Sequence, residues 1–354
     1  MRAMRMHGYG EPTVIRLDRI EQPAPGPGEV LIRVAATTFN PSEAGLRRGL
    51  LRSIVPVELP YTMGLDVAGT VAAVGPAAPA GGAATPAGGV AAPAGGVAAP
   101  AGGVAAPAGG AAGDSVGLAV GDRVIGRLDG GAAADYAVAP ANVLVPVPAG
   151  VSLEDAAALP IAGLTAWQAV FEHAAVTAGQ RVLVNGAGAI GRFAIQLARH
   201  AGAYVIAVAT PRTMEAARAA GAHHVLPAGE TGSGGLSPAG GSRPGPPGGA
   251  EIGPVDALIH LVPADPEHAA LIRPGGVLVS ATTPAGRLPA GRFRAAHFIV
   301  RHDTAGLAAL LTLVEAGTVG IDIAGRRPLA DLAAVHDEAE TGRLAGKTLL
   351  LPGR

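Results

Sequence analysis

The chain has 354 residues, with 26 basic and 27 acidic side chains and a formal net charge of −1. That balance offers no electrostatic case for a nucleic-acid or anionic-membrane partner. The absence of cysteine removes disulfides, thiolate nucleophiles and cysteine-ligated zinc. The length suits two domains. Lys347 is the one lysine among the basic residues, a bias that runs with the excess of alanine, glycine and proline. No uninterrupted apolar run approaches the ~20 residues of a membrane span, and the opening MRAMRMHGYG lacks the apolar stretch of a signal peptide. The expectation is a cytoplasmic chain.

In chain order, residues 1–75 read as strands and turns, with EVLIRVAATTFN (29–40) and GLDVAGTVAAVG (64–75) mixing alternation with β-branched residues. Residues 86–112 repeat PAGGVAA, with prolines at 86, 93, 100 and 107. Proline and paired glycines in each unit exclude a coiled coil, and glycine at every third position, which collagen needs, is missing. GDRVIGRL (121–128) and ADYAVAPANVLVPVP (134–148) continue the β pattern. A helix is expected over 152–175, with Ser152 as N-cap and Glu154 and Asp155 in its first turn.

From residue 181 the rhythm becomes strand, helix, strand. RVLVN (181–185) precedes a helix over about 190–201, then come YVIAVA (204–209), a helix over about 213–220 and HHVL (223–226). DALIHL (256–261), GVLVSA (276–281) and HFIVR (297–301) complete a set that implies a parallel sheet covered on both faces. Helices are expected at 303–316 and 329–341, and a last strand at GKTLLLP (346–352). The low-complexity segments 78–116 and 228–254 read as disordered surface loops.

The chemistry concentrates in NGAGAIG, where Gly186, Gly188 and Gly191 make a G-x-G-x-x-G spacing between a predicted strand and helix. Gly186 permits a tight exit from the strand. Gly188 lets a diphosphate approach the backbone, and Gly191 lets the helix pack close to the sheet. The helix mouth then offers free N–H groups to phosphates. Backbone from Gly186 through Ala187, Gly188, Ala189, Ile190 and Gly191 is therefore the expected cofactor cradle. No acid lies between Gly186 and Glu215 to accept a ribose 2′-hydroxyl. Thr210 and Arg212 stand where a 2′-phosphate would lie, and an arginine fork suits phosphate oxygens, so the expected cofactor is NADPH. The carboxyl ends of later strands, at His260, Leu261, Val262 and Ser280, Ala281, Thr282, should border its nicotinamide half.

Together with EVLIRVAATTFNPSEAGLRRG (29–49), LPYTMGLDVAGTVAAVG (59–75), VGDRVIG (120–126), LPIAGLTAWQAVFEHAAVTAGQRVLVNGAGAIGRFAIQLARHAGA (159–203), RPGGVLVS (273–280) and GRLAGKTLLLP (342–352), this turn resembles the zinc-free quinone oxidoreductase branch, the ζ-crystallin-like enzymes, of the medium-chain dehydrogenase/reductase superfamily. The resemblance implies a Rossmann domain, a doubly wound parallel sheet over 151–289. It is inserted into a GroES-like, mostly antiparallel β catalytic domain made of 1–150 and 290–354. It also implies a homodimer pairing through HFIVR, and hydride transfer to a small-molecule quinone or enone without metal. The zinc-dependent relatives carry a ligand in the place of FNPSE and a Gly-His-Glu where this chain reads Gly64-Leu65-Asp66.

On the same ground Asn40 is expected near the nicotinamide, orienting its ribose or donating to the substrate oxygen, although Asn-Pro is also a common turn. Thr165 is expected at the cofactor carboxamide, unless its hydroxyl bonds back to its own helix. Lys347 sits in a motif that reaches the cofactor in relatives, with a surface position as the alternative. Many relatives carry a tyrosine after the asparagine. Here Gly45 stands near that place and Tyr61 lies in a different turn, so no general acid is evident. A tailoring enoyl or ketone reductase and a non-catalytic NADPH-binding protein are the competing readings.

Overall fold

The computed structural model describes residues 1–76, 117–228 and 252–353. Segment 78–116 and most of segment 228–254 lie outside the described residues. The first part of the chain forms β1 (Arg2–Met6), β2 (Ile15–Arg19), β3 (Glu29–Thr38), helix α1 (Pro41–Arg47), β4 (Tyr61–Thr62) and β5 (Asp66–Val74). After the undescribed stretch come β6 (Arg123–Arg127), β7 (Tyr136–Pro140) and β8 (Leu144–Pro146). β3 carries antiparallel partners on both sides. Its alternate residues Val30, Ile32 and Val34 are buried with Val67, Val71 and Val124, as the period of two requires of a half-covered strand.

The expected helix over 152–175 is broken into pieces. α2 (Leu153–Ala156) and α3 (Leu164–Trp167) are separated by a widened turn at Leu159–Gly163, and a second widened turn follows at Gln168–His173. Pro160 lacks the N–H that a regular helix would need there. Ser152 does cap the start, its Oγ accepting the Asp155 N–H at 3.3 Å.

Next are β9 (Arg181–Asn185), α4 (Ala189–His200), β10 (Tyr204–Ala209), α5 (Met214–Ala219) and β11 (His224–Pro227). β12 (Val255–His260), β13 (Ile272–Ser280) and β14 (Arg294–His297) follow. These strands form one parallel sheet in the order β11-β10-β9-β12-β13-β14. Both faces are buried, Val182 and Val184 joining one core and Leu183 the other, which explains the continuous apolar runs. The direction of winding reverses between β9 and β12, the crevice where ligands bind in such sheets. A Rossmann-type parallel sheet beside a GroES-like antiparallel sheet is thus the architecture.

Two expectations are corrected. The strand placed at HFIVR is Arg294–His297 instead. Phe298 still donates its N–H to Ser280 O at 3.0 Å, but β13 ends at Ser280 and offers no further partner. Phe298 turns into the core and Ile299 is 77% exposed. The handover at 290 also comes too early, because β14 is still paired with β13.

The chain returns to the antiparallel sheet with α6 (Thr304–Glu315), β15 (Gly325–Pro328), α7 (Leu332–Glu340) and β16 (Thr348–Leu351), β16 lying between β15 and β3. Leu307, Leu310 and Leu311 of α6 join the core formed by Leu164, Trp167 and Val170, so the two sheets share a continuous apolar seam.

Candidate active site

At the switch point, β9 runs into the glycine turn. Gly186 has φ +108°, a conformation that disfavours a side chain, and a Cβ there would stand 2.8 Å from Val262 Cγ1. A Cβ on Gly191 would stand 1.8 Å from Gly186 O, so only glycine lets α4 close on the turn. Nothing lies within 4 Å of where a Gly188 Cβ would be, and Gly188 is exposed. The turn is therefore a cradle open to solvent. Above it the first N–H groups of α4 lack helical partners, and its first turn holds no acid to compete with an anion. These residues fit a dinucleotide diphosphate. Gly186, Gly188, Ala189, Ile190 and Gly191 form the mouth, and Ala187 is buried beneath it.

Thr210 and Arg212 follow β10 on the surface. Thr210 and Thr213 bond to each other through their hydroxyls at 3.1 Å. Arg212 reaches out to donate from Nη1 to Gly342 O at 2.7 Å, so it spans from the parallel sheet to the segment beyond α7. Glu215 lies inside α5, paired with Arg218.

The strand ends line up. Asn185 is paired in register with His260, and His260 with Ser280. The His260 side chain does not face the crevice. It is fully buried, with Nε2 2.8 Å from Ala264 O and Nδ1 3.0 Å from Asn185 Nδ2. Burial lowers its pKa below the ordinary histidine value, and both ring nitrogens are held by internal partners. Ser280 is likewise turned inward, its Oγ accepting from the N–H groups of Thr282 and Thr283. Thr282 donates to Val262 O at 2.7 Å. Leu261, Val262, Ala281 and Thr282 are the half-buried residues at this rim.

The antiparallel sheet holds a buried polar cluster of its own. Asp66, at the start of β5, is fully buried. Its Oδ1 accepts the Ile161 N–H at 2.9 Å. Its Oδ2 accepts from Thr38 Oγ1, from Asn40 Nδ2 at 2.8 Å and from Lys347 Nζ at 3.2 Å. Lys347 Nζ also donates to Asn40 Oδ1 at 2.8 Å. The surface position for Lys347 is excluded, since it is 4% exposed. Asn40 begins α1 ahead of Pro41, and both ends of its amide are engaged within the cluster. Glu43 accepts the N–H groups of Asn40 and Gly64, and burial, then the nearby Asp66 charge, raises its pKa to about 7. Thr165 donates to Ile161 O at 2.7 Å, the helical back-bond, one turn after the peptide that holds Asp66.

Asp66 is the member that sequence reasoning missed as a participant. Its only signal is an acid in an apolar strand, read as the place of a lost metal ligand. Arg192 of α4 was also missed. It is 8% exposed and pairs with Asp322 across to the segment before β15.

Zinc does not fit this cluster. The ammonium of Lys347 already stands between Asn40 and Asp66, and no group of three histidine, cysteine or carboxylate side chains is assembled among the described residues. Among the same residues no helix is long and apolar enough to cross a membrane.

Residues 26–149 match the alcohol dehydrogenase GroES-like domain and residues 249–350 the zinc-binding dehydrogenase family. The chain is 30% identical over 236 residues to a chloroplastic quinone-oxidoreductase homolog of Spinacia oleracea, a match covering 64% of this chain and 60% of that protein. The chain thus spans about three fifths of that relative's length. A stretch of 105 residues, 29% of the chain, is 45% identical to polyketide synthase GfsB of Streptomyces halstedii and covers 2% of that protein. The solved structure of mycobacterial Rv1454c complexed with NADPH superposes with a TM-score of 0.74 at 27% identity, covering 99% of this chain and 100% of that one. The chain thus carries an alcohol dehydrogenase GroES-like domain and a zinc-binding dehydrogenase domain, and it is similar in sequence and fold to quinone oxidoreductases.

Proposed function

We propose that the chain reduces quinones or α,β-unsaturated carbonyl compounds with NADPH, by hydride transfer and without a metal. One observation carries this reading. A glycine turn suited to a diphosphate opens at the sheet's switch point, in a chain that also assembles a buried polar cluster of Asn40, Asp66 and Lys347. A bound nicotinamide supplies the hydride. The chain holds its diphosphate on α4, orders the crevice through Asp66 and Ile161, and presents a fixed cation at Lys347. No alkoxide has to be stabilised, because the charge that follows hydride addition to a conjugated carbonyl spreads onto an enolate or semiquinoid oxygen. Modest donors suffice.

NADPH is preferred to NADH on this reading because Arg212 and Thr210 flank the adenosine end. Arg212 uses one of its N–H groups on Gly342 O and keeps others for a phosphate. The test is binding of both coenzymes to wild type and to Arg212→Ala. NADPH affinity should fall about ten- to a hundredfold in the variant with NADH unchanged; equal preference in both proteins removes the assignment. NADPH oxidation over quinones, enones and enoyl thioesters tests the reaction. Tight NADPH binding without turnover on any acceptor would favour a non-catalytic binding protein.

A second reading is enoyl reduction in a biosynthetic pathway, which the 45% identity to a polyketide synthase stretch favours. The enoyl thioester arm of the acceptor panel separates the two. The chain is further inferred to act in the cytoplasm as a homodimer, which the position of β14 at the edge of the parallel sheet permits.

A further inference from the structure

We propose that Lys347 is the electrophile of this site, donating a hydrogen bond from its ammonium to the substrate oxygen that gains charge as hydride arrives. The inference rests on the reductase reading above.

Three observations converge on it. The side chain is 3% exposed and paired with the fully buried Asp66. Taking both charges out of water is costly, and the attraction between them offsets that cost only in part, so a pair that only held the fold together could be replaced by apolar packing. Second, an ammonium has three N–H donors in a tetrahedral arrangement. Asn40 Oδ1 takes one and Asp66 Oδ2 another, and among the described residues no third acceptor is within reach. Third, this is the one lysine in a chain whose other basic side chains are all arginine. A composition that uses arginine at every other position retains lysine at this buried one. A planar guanidinium cannot replace a compact point charge between two fixed acceptors.

Placement agrees. Lys347 follows Gly346, where a Cβ would stand 3.0 Å from Arg192 Nη2 of α4. Its partner Asp66 is tied to Ile161. The ammonium is therefore anchored through Asp66 to the Ile161 peptide, and its backbone neighbour Gly346 lies against the Arg192 side chain of α4.

The step balances simply. Hydride adds to the β-carbon of the enone, the π pair moves to give Cα=C–O⁻, and the nicotinamide is oxidised by two electrons. Lys347 Nζ–H bonds to the new oxyanion. Water then protonates Cα and the carbonyl reforms, with the ammonium unchanged.

The test compares wild type with Lys347→Met, with Lys347→Arg, and with the double variant Lys347→Met/Asp66→Asn, which removes both members of the ion pair together. NADPH Kd is read by fluorescence and kcat on a simple enone and on a benzoquinone. The expected result is a kcat on the enone lowered about a hundredfold or more in both Met variants, with NADPH affinity near wild type. The quinone should lose less, because its ring spreads the charge, and arginine should not restore the enone rate. A kcat unchanged on both acceptors overturns the proposal, as does a loss confined to NADPH affinity, which would make Lys347 a cofactor contact only. A wild type that binds NADPH but turns over no acceptor overturns the reductase reading and this proposal together.

Discussion

Gly191 shows how one missing carbon sets the site. Its Cα faces Gly186 O so closely that a methyl group would sit 1.8 Å from that oxygen. In Gly191→Ala either α4 must move off the turn or the turn must open. The expected outcome is loss of the NADPH-induced rise in melting temperature, with a stability cost of about 1–3 kcal/mol for the displaced packing. Thermal denaturation with and without NADPH reads both effects. His260 gives the opposite case. A histidine at a strand end invites a catalytic reading, but its two nitrogens are occupied by Asn185 and Ala264. His260→Leu should therefore cost about 1–3 kcal/mol by stranding those two polar groups and remove no limb from the pH–rate profile. A lost limb would return the histidine to the chemistry.

At the scale of elements, local signals worked where neighbouring residues decide. Asp303 accepts the Gly306 N–H at 2.8 Å and starts α6 one residue from the expected position. Asp303→Ala should lower stability by about 1 kcal/mol, measurable by urea denaturation, since α6 carries Leu307, Leu310 and Leu311 into the shared core. Local signals failed where a partner elsewhere decides. HFIVR has the composition of a strand, but a strand needs a neighbour, and β13 has already ended at Ser280. The segment 152–175 has helical composition, but Pro160 interrupts its bonding.

Across the whole molecule, buried titratable groups link pH to stability in opposite directions. The Glu43 pKa is raised to about 7, so between the unfolded carboxyl value and pH 7 the folded state holds a proton that the unfolded chain has lost. That contribution is full at acid pH and disappears as pH rises through 7. The His336 pKa is lowered to about 3 by burial and by Arg47, so its contribution is present at neutral pH. It is lost as pH falls below the ordinary histidine value. Stability measured from pH 4 to 8 should therefore fall less steeply above pH 5 in Glu43→Gln than in wild type. Identical profiles would place Glu43 at an ordinary carboxyl pKa.

The strands, the glycine turn and the dinucleotide helix could be read from order and spacing alone, because periodicity, turn chemistry and capping act between residues a few positions apart. An antiparallel region followed by a parallel α/β region was legible for the same reason, whereas the insertion of one domain into the other was implied by the family resemblance. The polar cluster was not. Asn40 and Lys347 were each named singly, yet their contact joins residues 307 positions apart, and Asp66 meets Lys347 across 281. Likewise nothing local shows that Arg212 crosses to Gly342 or that both nitrogens of His260 are taken. Such bonds form only after two apolar cores have packed two sheets against a common seam. Burial then forces each polar group shut out of water to find the partner that the packing has brought beside it.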